Sequence, residues 1–378
     1  MESQRKAYPV SHPPFTAIID SLPETVPFVG PETIERRTGI ATRARIGANE
    51  SGFGPSPRVI AALREAAPEV WTYPDPENYE LRSALAAHLG IANDEVTISE
   101  GIDGLMGLLV RLFIAPGDVV VTSLGAYPTF NYHVTGFGGD LRFVPYSGVH
   151  ENPEALAAKA RETNARMVYL ANPDNPMGSF WSAADIARFI DAVPENCLIV
   201  LDEAYMETAP EIPLALDTSR PNLLRLRTFS KAYGMAGLRC GYAIGHRRLV
   251  GAFNRIRNHF GVNKQAQVAA LTALDDQTYL RWAVDAIADA RLRIARIATE
   301  NGLRALPSAT NFVAIDCGRD GPYALAILEA LAHEGVFVRK PAAPGLDQHI
   351  RISAGPPGIL DILAEAMPIA VKNAQSAP

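Results

Sequence analysis

The segment RTFSKAYGMAGLRCG, residues 227–241, sets Lys231 directly after Ser230, with Thr228 two residues before that serine and Arg239 eight residues past the lysine. A lysine on a glycine-rich turn is ordinarily solvated surface charge. Two hydroxyls and a second cation beside it make half of a site for an anion. Asp202 closes the apolar run of CLIVLDEAY. It is either the N-cap of the next element or a carboxylate in a dry cleft, kept ionised by a cationic partner. Gly101, in SEGIDGL, opens an amphipathic helix whose free N–H groups and dipole can hold a phosphate. Asp103 would equally suit a plain helix start there. Arg351, in HIRISAG, offers a salt bridge or a two-pronged grip on a carboxylate. NPDNPMG reads by itself as a turn.

Other chemistries are excluded by order and spacing. A Walker loop needs glycines before its lysine and Ser or Thr after it, and here the order is reversed. GFGGDL, the nearest match to a dinucleotide fingerprint, lacks the third glycine and leads into a strand. There is no G-x-S-x-G elbow. The eight histidines form no ligand-spaced pair and the three cysteines, Cys197, Cys240 and Cys317, are far apart, so no metal site is expected. A net charge of -6 speaks against nucleic acid or a membrane surface as partner. No apolar run approaches bilayer length, and a reducing cytoplasm suits the cysteines.

The elements that must position these residues can be read from the hydrophobic pattern. Residues 1–45 read as an arm packing on a small domain or on a partner subunit. Residues 46–265 alternate strands at 95–99, 118–123, 141–146, 165–171, 197–202, 223–229 and 240–245 with helices. Several runs are apolar throughout, as in strands buried on both faces of a mainly parallel sheet. This predicts an α/β fold: a three-layer α/β/α large domain with a mainly parallel mixed sheet. Residues 266–378 read as a smaller α+β domain, with a long helix at 277–302 and strands in NFVAID, GVFVRK and HIRIS. Ligands of open α/β sheets sit beyond the carboxyl ends of the strands. Asp202 and Lys231 both fall there.

Taken together, the pieces fit pyridoxal 5'-phosphate: a lysine for its aldehyde, an aspartate for its ring nitrogen, and hydroxyls, an arginine and a helix start for its phosphate. VPFVGPETIERRTGI, ANESGFGPSP, YPDPENYELRSALA, SEGIDGLMGLLVRLFIAPGD, NPDNPMG, LDEAY, TFSKAYGMAGLRCGY and RISAG succeed one another over nearly the whole chain. In order and spacing they resemble the fold-type I aminotransferases, and among them the histidinol-phosphate aminotransferase group.

The resemblance implies a role for each matching residue. Lys231 matches the Schiff-base lysine that later carries the substrate Cα proton, Asp202 the partner of the pyridine nitrogen, and Asn175 and Tyr205 the donors to the ring's 3-oxygen. Tyr127 matches the stacking aromatic. Thr228, Ser230, Arg239 and the amides of Ile102 and Asp103 match the phosphate cup, to which Tyr73 of a neighbouring subunit adds its hydroxyl in an implied homodimer. Arg351, Arg339, Phe28 and Asn49 match substrate-side positions, Phe28 standing where a tyrosine is usual. A cis peptide at Asn175–Pro176 is implied as well. The expected reaction transfers an amino group from a donor, foremost histidinol phosphate, to 2-oxoglutarate. An aromatic donor, or decarboxylation of a phospho-amino acid on the same scaffold, are the alternatives.

Overall fold

Twelve strands form in the computed structural model, which describes residues 13–24, 28–211 and 214–376. They are β1 (Ala44–Arg45), β2 (Val96–Ser99), β3 (Val119–Ser123), β4 (Asp140–Val144), β5 (Met167–Ala171), β6 (Leu198–Asp202), β7 (Leu223–Thr228), β8 (Gly241–Gly245), β9 (Arg304–Ala305), β10 (Phe312–Asp316), β11 (Val336–Phe337) and β12 (His349–Ser353). Seven make one sheet in the order β2-β8-β7-β6-β5-β3-β4. Only β8 runs against its neighbours, antiparallel to both β2 and β7. That reversal brings the start of β8 to the edge where β2, β5, β6 and β7 end. Gly241 pairs with both Ser99 and Thr228.

The all-apolar strands are covered on both faces. Met167, Tyr169 and Ala171 of β5 join Leu198 and Val200 of β6 under the helices Gly101–Phe113 and Pro128–Gly136. Val168, Leu170, Ile199 and Leu201 face the helices Pro153–Glu162 and Ala183–Ala192. Successive side chains point to opposite faces, so Asp202 falls on the first face and Glu203 on the second. There Glu203 meets Arg225 Nη2 at 2.5 Å and Arg227 Nε at 2.8 Å, with all three side chains almost fully buried. Burial pushes the Glu203 carboxyl up, yet Arg227 and Arg225 together hold it below the ordinary carboxylate value.

The second lobe packs the helices Gln277–Glu300, Gly321–His333 and Pro357–Gln375 on β10 and β12. β12, β10 and β9 form an antiparallel sheet, whereas β11 pairs in parallel with β1. The strand expected in GVFVRK is thus only two residues long. Two residues beyond it, Arg339 forms an isolated bridge with Arg351 of β12. Ala44 and Ile46 belong to this lobe's core. The helix Lys264–Asp275 buries Ala266, Ala269, Ala270 and Ala273 against the large-sheet side. Within Gln277–Glu300, Leu280 still packs against that cluster, whereas Ile287, Ala290 and Ile294 belong to the core of the second lobe. Among the described residues no helix is long and apolar enough to cross a membrane, and no cluster of His, Cys, Asp or Glu could hold a metal ion.

The buried ion triad sets an expectation. Glu203→Ala leaves two buried guanidinium groups without their carboxylate and should cost about 3–5 kcal/mol, against about 0–1 kcal/mol for exposed Glu162→Ala. Urea unfolding of both variants checks the contrast.

Candidate active site

Lys231 leaves β7 on a turn whose hydroxyls are already engaged. Thr228 Oγ1 lies 3.0 Å from Ser230 Oγ and 3.2 Å from the Cys240 carbonyl, and it accepts the Ser230 N–H at 3.1 Å. Arg239 has a left-handed φ of 57°. Its Nη1 donates to the Ala236 carbonyl at 3.0 Å and to Ser230 Oγ at 3.4 Å. Gly101 has φ +83°, and a Cβ there would lie 2.5 Å from Arg239 Nη2. Only glycine lets the guanidinium approach the start of the helix Gly101–Phe113. Two hydroxyls, a guanidinium and unpaired helix N–H groups of Ile102 and Asp103 thus converge on one end of a cavity of about 300 Å³.

Asp202 lines the same cavity. Tyr169 donates its hydroxyl to Asp202 Oδ2 at 2.6 Å, and the Ala204 N–H donates to Oδ1 at 3.0 Å. Burial pushes the carboxyl up to about 6, against the pull of these two donors; Asp103 raises it further and Lys231 lowers it. Lys231 Nζ donates to the Asn49 carbonyl at 3.2 Å and lies 5.4 Å from the centre of the Tyr205 ring. Asn49 Nδ2 donates to the Tyr205 hydroxyl at 2.9 Å. Tyr127 donates to Asp103 Oδ1 at 3.0 Å, and burial raises its phenol well above the usual value.

A second cavity of about 460 Å³ shares Lys231, Tyr127 and Asn175 with the first and adds Phe28, Arg339 and Arg351. Arg351 Nη1 donates to Asn175 Oδ1 at 2.5 Å, while its buried Nε has no partner. Arg339 Nη2 donates to the Val29 carbonyl at 3.1 Å, and its guanidinium lies 5.1 Å from the Phe28 ring centre. Burial pushes both guanidinium groups below the usual value.

Of the side chains given a role from sequence, Tyr73 lines neither cavity. It is 79% exposed and stacked on Phe260 at 4.5 Å. The expected cis bond is corrected: it lies at Asn172–Pro173, where the chain leaves β5, and not at Asn175–Pro176. The Asn172 side chain exchanges two hydrogen bonds with the Trp181 backbone at that bend. Tyr169 was not anticipated. Its signal was a lone hydroxyl in a buried apolar strand, which needs a partner. Asn311, whose Nδ2 donates to the Asn49 carbonyl at 3.0 Å, left no such signal.

A lysine between an acidic end and a donor-rich, anion-binding end suits a cofactor with one carbonyl, one basic nitrogen and one phosphate. The model of the aminotransferase class I and II family matches residues 44–367, and the chain belongs to that family. Its relatives share a narrower name. The histidinol-phosphate aminotransferase of Anaeromyxobacter sp. (strain Fw109-5) is 38% identical over 349 residues, covering 91% of this chain and 94% of the relative. The crystal structure of histidinol-phosphate aminotransferase from Sinorhizobium meliloti in complex with pyridoxal-5'-phosphate is 52% identical with a TM-score of 0.93, over 96% of this chain and 99% of that one. Aspartate aminotransferase from Thermus thermophilus with maleate has the same fold, with a TM-score of 0.76 at 23% identity over 95% and 100% of the two chains.

The raised Asp202 carboxyl predicts a pH dependence in the cofactor-free protein. A folded-state value above the unfolded one means that the folded chain holds this proton more tightly. Stability from this group is full below about pH 4 and is lost as pH rises to about 6. Relative to Asp202→Asn, the wild-type apoprotein should lose about 3 kcal/mol across that window. Urea unfolding of both proteins between pH 4 and 7 measures the difference.

Proposed function

We propose that this aminotransferase moves an amino group from histidinol phosphate to 2-oxoglutarate, with pyridoxal 5'-phosphate as its cofactor. The observation that carries the substrate assignment is the pair Arg339 and Arg351, two guanidinium groups in the cavity that also holds Lys231. An amino donor with a distant phosphate and an acceptor with two carboxylates must use this pocket in turn. Two cations, each with unspent donors, suit both. The name shared by relatives that match nearly the whole chain supports the same reading.

When bound, pyridoxal 5'-phosphate supplies an aldehyde that condenses with amines and a ring that accepts the electron pair left at Cα. The chain's own residues would do the rest. Thr228, Ser230, Arg239 and the amides of Ile102 and Asp103 would hold the phosphate. Asp202 would keep the ring nitrogen protonated, and that positive charge would offset the cost of burying an ionised carboxyl. Tyr127 would stack on the ring. Asn175 and Tyr205 would donate to its 3-oxygen; because Arg351 occupies Asn175 Oδ1, the amide nitrogen is left for this task. Lys231 would take the proton from the substrate Cα and return it on the other side of the transfer. Asn49 would steady both Lys231 and Tyr205.

We infer further that the working unit is a homodimer. Val70, Trp71, Tyr73 and Phe260 form an exposed apolar stretch, unusual on a monomer's surface, and Tyr73 would reach the phosphate end of the neighbouring site. We also infer that the N-terminal arm expected at 1–45 ends near residue 43, that the small lobe takes in 44–46, and that the lobes divide within Gln277–Glu300. Three buried, unpaired cysteines fit a cytoplasmic setting.

Arg339→Ala should lower kcat/KM for histidinol phosphate by about 10- to 100-fold, the worth of one charged hydrogen bond, and leave that for phenylalanine nearly unchanged. A wild-type preference for phenylalanine, or equal losses for both substrates, contradicts the assignment. For the dimer, Tyr73→Ala and Lys231→Ala subunits should each be nearly inactive alone. Mixed, they should regain activity, because one site of the heterodimer carries neither lesion. Verified subunit exchange without recovery would put Tyr73 outside the partner's site.

A further inference from the structure

Behind Asn175 two carboxyl groups are buried together. Glu151 is 0% and Asp174 2% exposed, and their side chains are within hydrogen-bonding contact of each other. Every other group bonded to them is a neutral donor. Glu151 Oε2 accepts from the Ser123 hydroxyl at 2.6 Å and Oε1 from the Ala171 N–H at 3.1 Å. Asp174 Oδ1 accepts from the Tyr146 hydroxyl at 2.9 Å and Oδ2 from the Met177 N–H at 3.0 Å. Among the described residues no lysine, arginine or histidine forms an ion pair with either. The charge of Arg351 of β12 lowers the Asp174 carboxyl, and Glu151 in turn raises the Tyr169 phenol of β5. The Arg351 Nη1 donates instead to Asn175.

Two touching carboxylates cannot both stay ionised without water or a cation. The Asp174–Met177 bond also closes a turn whose interior residues are Asn175 and Pro176. The far side of that turn is fixed by Gly178 N–H to the Asp174 carbonyl at 3.1 Å and by Asp174 N–H to the Ser179 carbonyl at 2.9 Å.

We propose that Glu151 and Asp174 share one proton and act as a positioning pair, anchoring the Asp174–Met177 turn to the ends of β3 and β5 so that Asn175 is held between Arg351 and the cofactor pocket. This rests on the role given to Asn175 above. Burial raises both carboxyls, Asp174 up to about 7 and Glu151 well above the ordinary value. Within the pair Asp174 raises Glu151 while Glu151 lowers Asp174, the opposed directions that one shared proton requires. Neither residue lines either of the two cavities of the site, so neither is a catalytic residue: the pair acts through Asn175.

The test uses the holoenzyme and two variants of similar volume. Glu151→Gln supplies a permanent N–H to Asp174; Glu151→Met fills the space without one. The infrared C=O stretch of a protonated carboxyl should be present in wild type at neutral pH, shift in heavy water and be missing from Glu151→Gln. Gln should keep kcat/KM near wild type, while Met should lose about 10- to 100-fold, the scale of a small misplacement of a site residue. No difference band between wild type and Gln, or equal activity for Gln and Met, overturns the shared proton. If Met fails to fold, the infrared comparison decides alone. Asn175→Ala separates the two readings. If it costs nothing, the cofactor role of Asn175 falls, and the positioning with it. If it costs activity while Gln and Met behave alike, the cofactor role of Asn175 stands and the shared-proton anchor falls.

Discussion

Much of this molecule is organised around one costly act, the burial of the Asp202 carboxyl at the end of β6. Its protein partners are a phenol and an amide, both neutral, and burial raises its proton affinity, so that its charge is carried at a cost. A parallel sheet makes such a placement possible. It ends several strands at one edge, where backbone groups leave the ladder and side chains can meet a ligand. Glu203, one residue on, solves the same problem in the opposite way, with two arginines from β7. The two faces of the sheet thus carry one carboxylate paired with guanidinium groups and one met by neutral donors.

The end of the cavity lined by Arg239 depends on the reversal of β8. Because β8 runs against β2 and β7, the loop before it delivers Arg239 to the edge where β2 hands over to the helix Gly101–Phe113. The clearance over Gly101 allows the contact. An all-parallel sheet would have sent the start of that strand to the opposite edge.

The seven large-sheet strands were legible because each is a short apolar run with clear boundaries, and their ends differ from expectation by one or two residues. Lys231, Asp202 and Arg239 were legible because type and spacing coincide in a single segment or at a strand end. What escaped depends on distances between remote segments. The bond from Tyr169 to Asp202 joins two neighbouring strands 33 positions apart in the chain. Asn311 and Asn49 are separated by 262 positions. The two-residue strand β11 was over-read because β propensity in GVFVRK says nothing of its partner, which is the equally short β1. The pattern NPDNPMG revealed a turn; which of its two prolines comes after a cis bond depended on where β5 releases the chain.

Asn49 joins parts that belong to different lobes. Its N–H donates to Ser353 Oγ at the end of β12, and its carbonyl accepts from Asn311 beside β10 and from Lys231. Its amide nitrogen reaches Tyr205. It does this from a left-handed backbone with φ 56°, a conformation that asparagine tolerates better than most residues. One residue is therefore a mechanical crosspiece: the small lobe cannot swing away from the large sheet without tugging on the amine of Lys231 and the phenol of Tyr205. Lys231 is tethered, through a single peptide carbonyl, to the relative posture of the two halves of the protein.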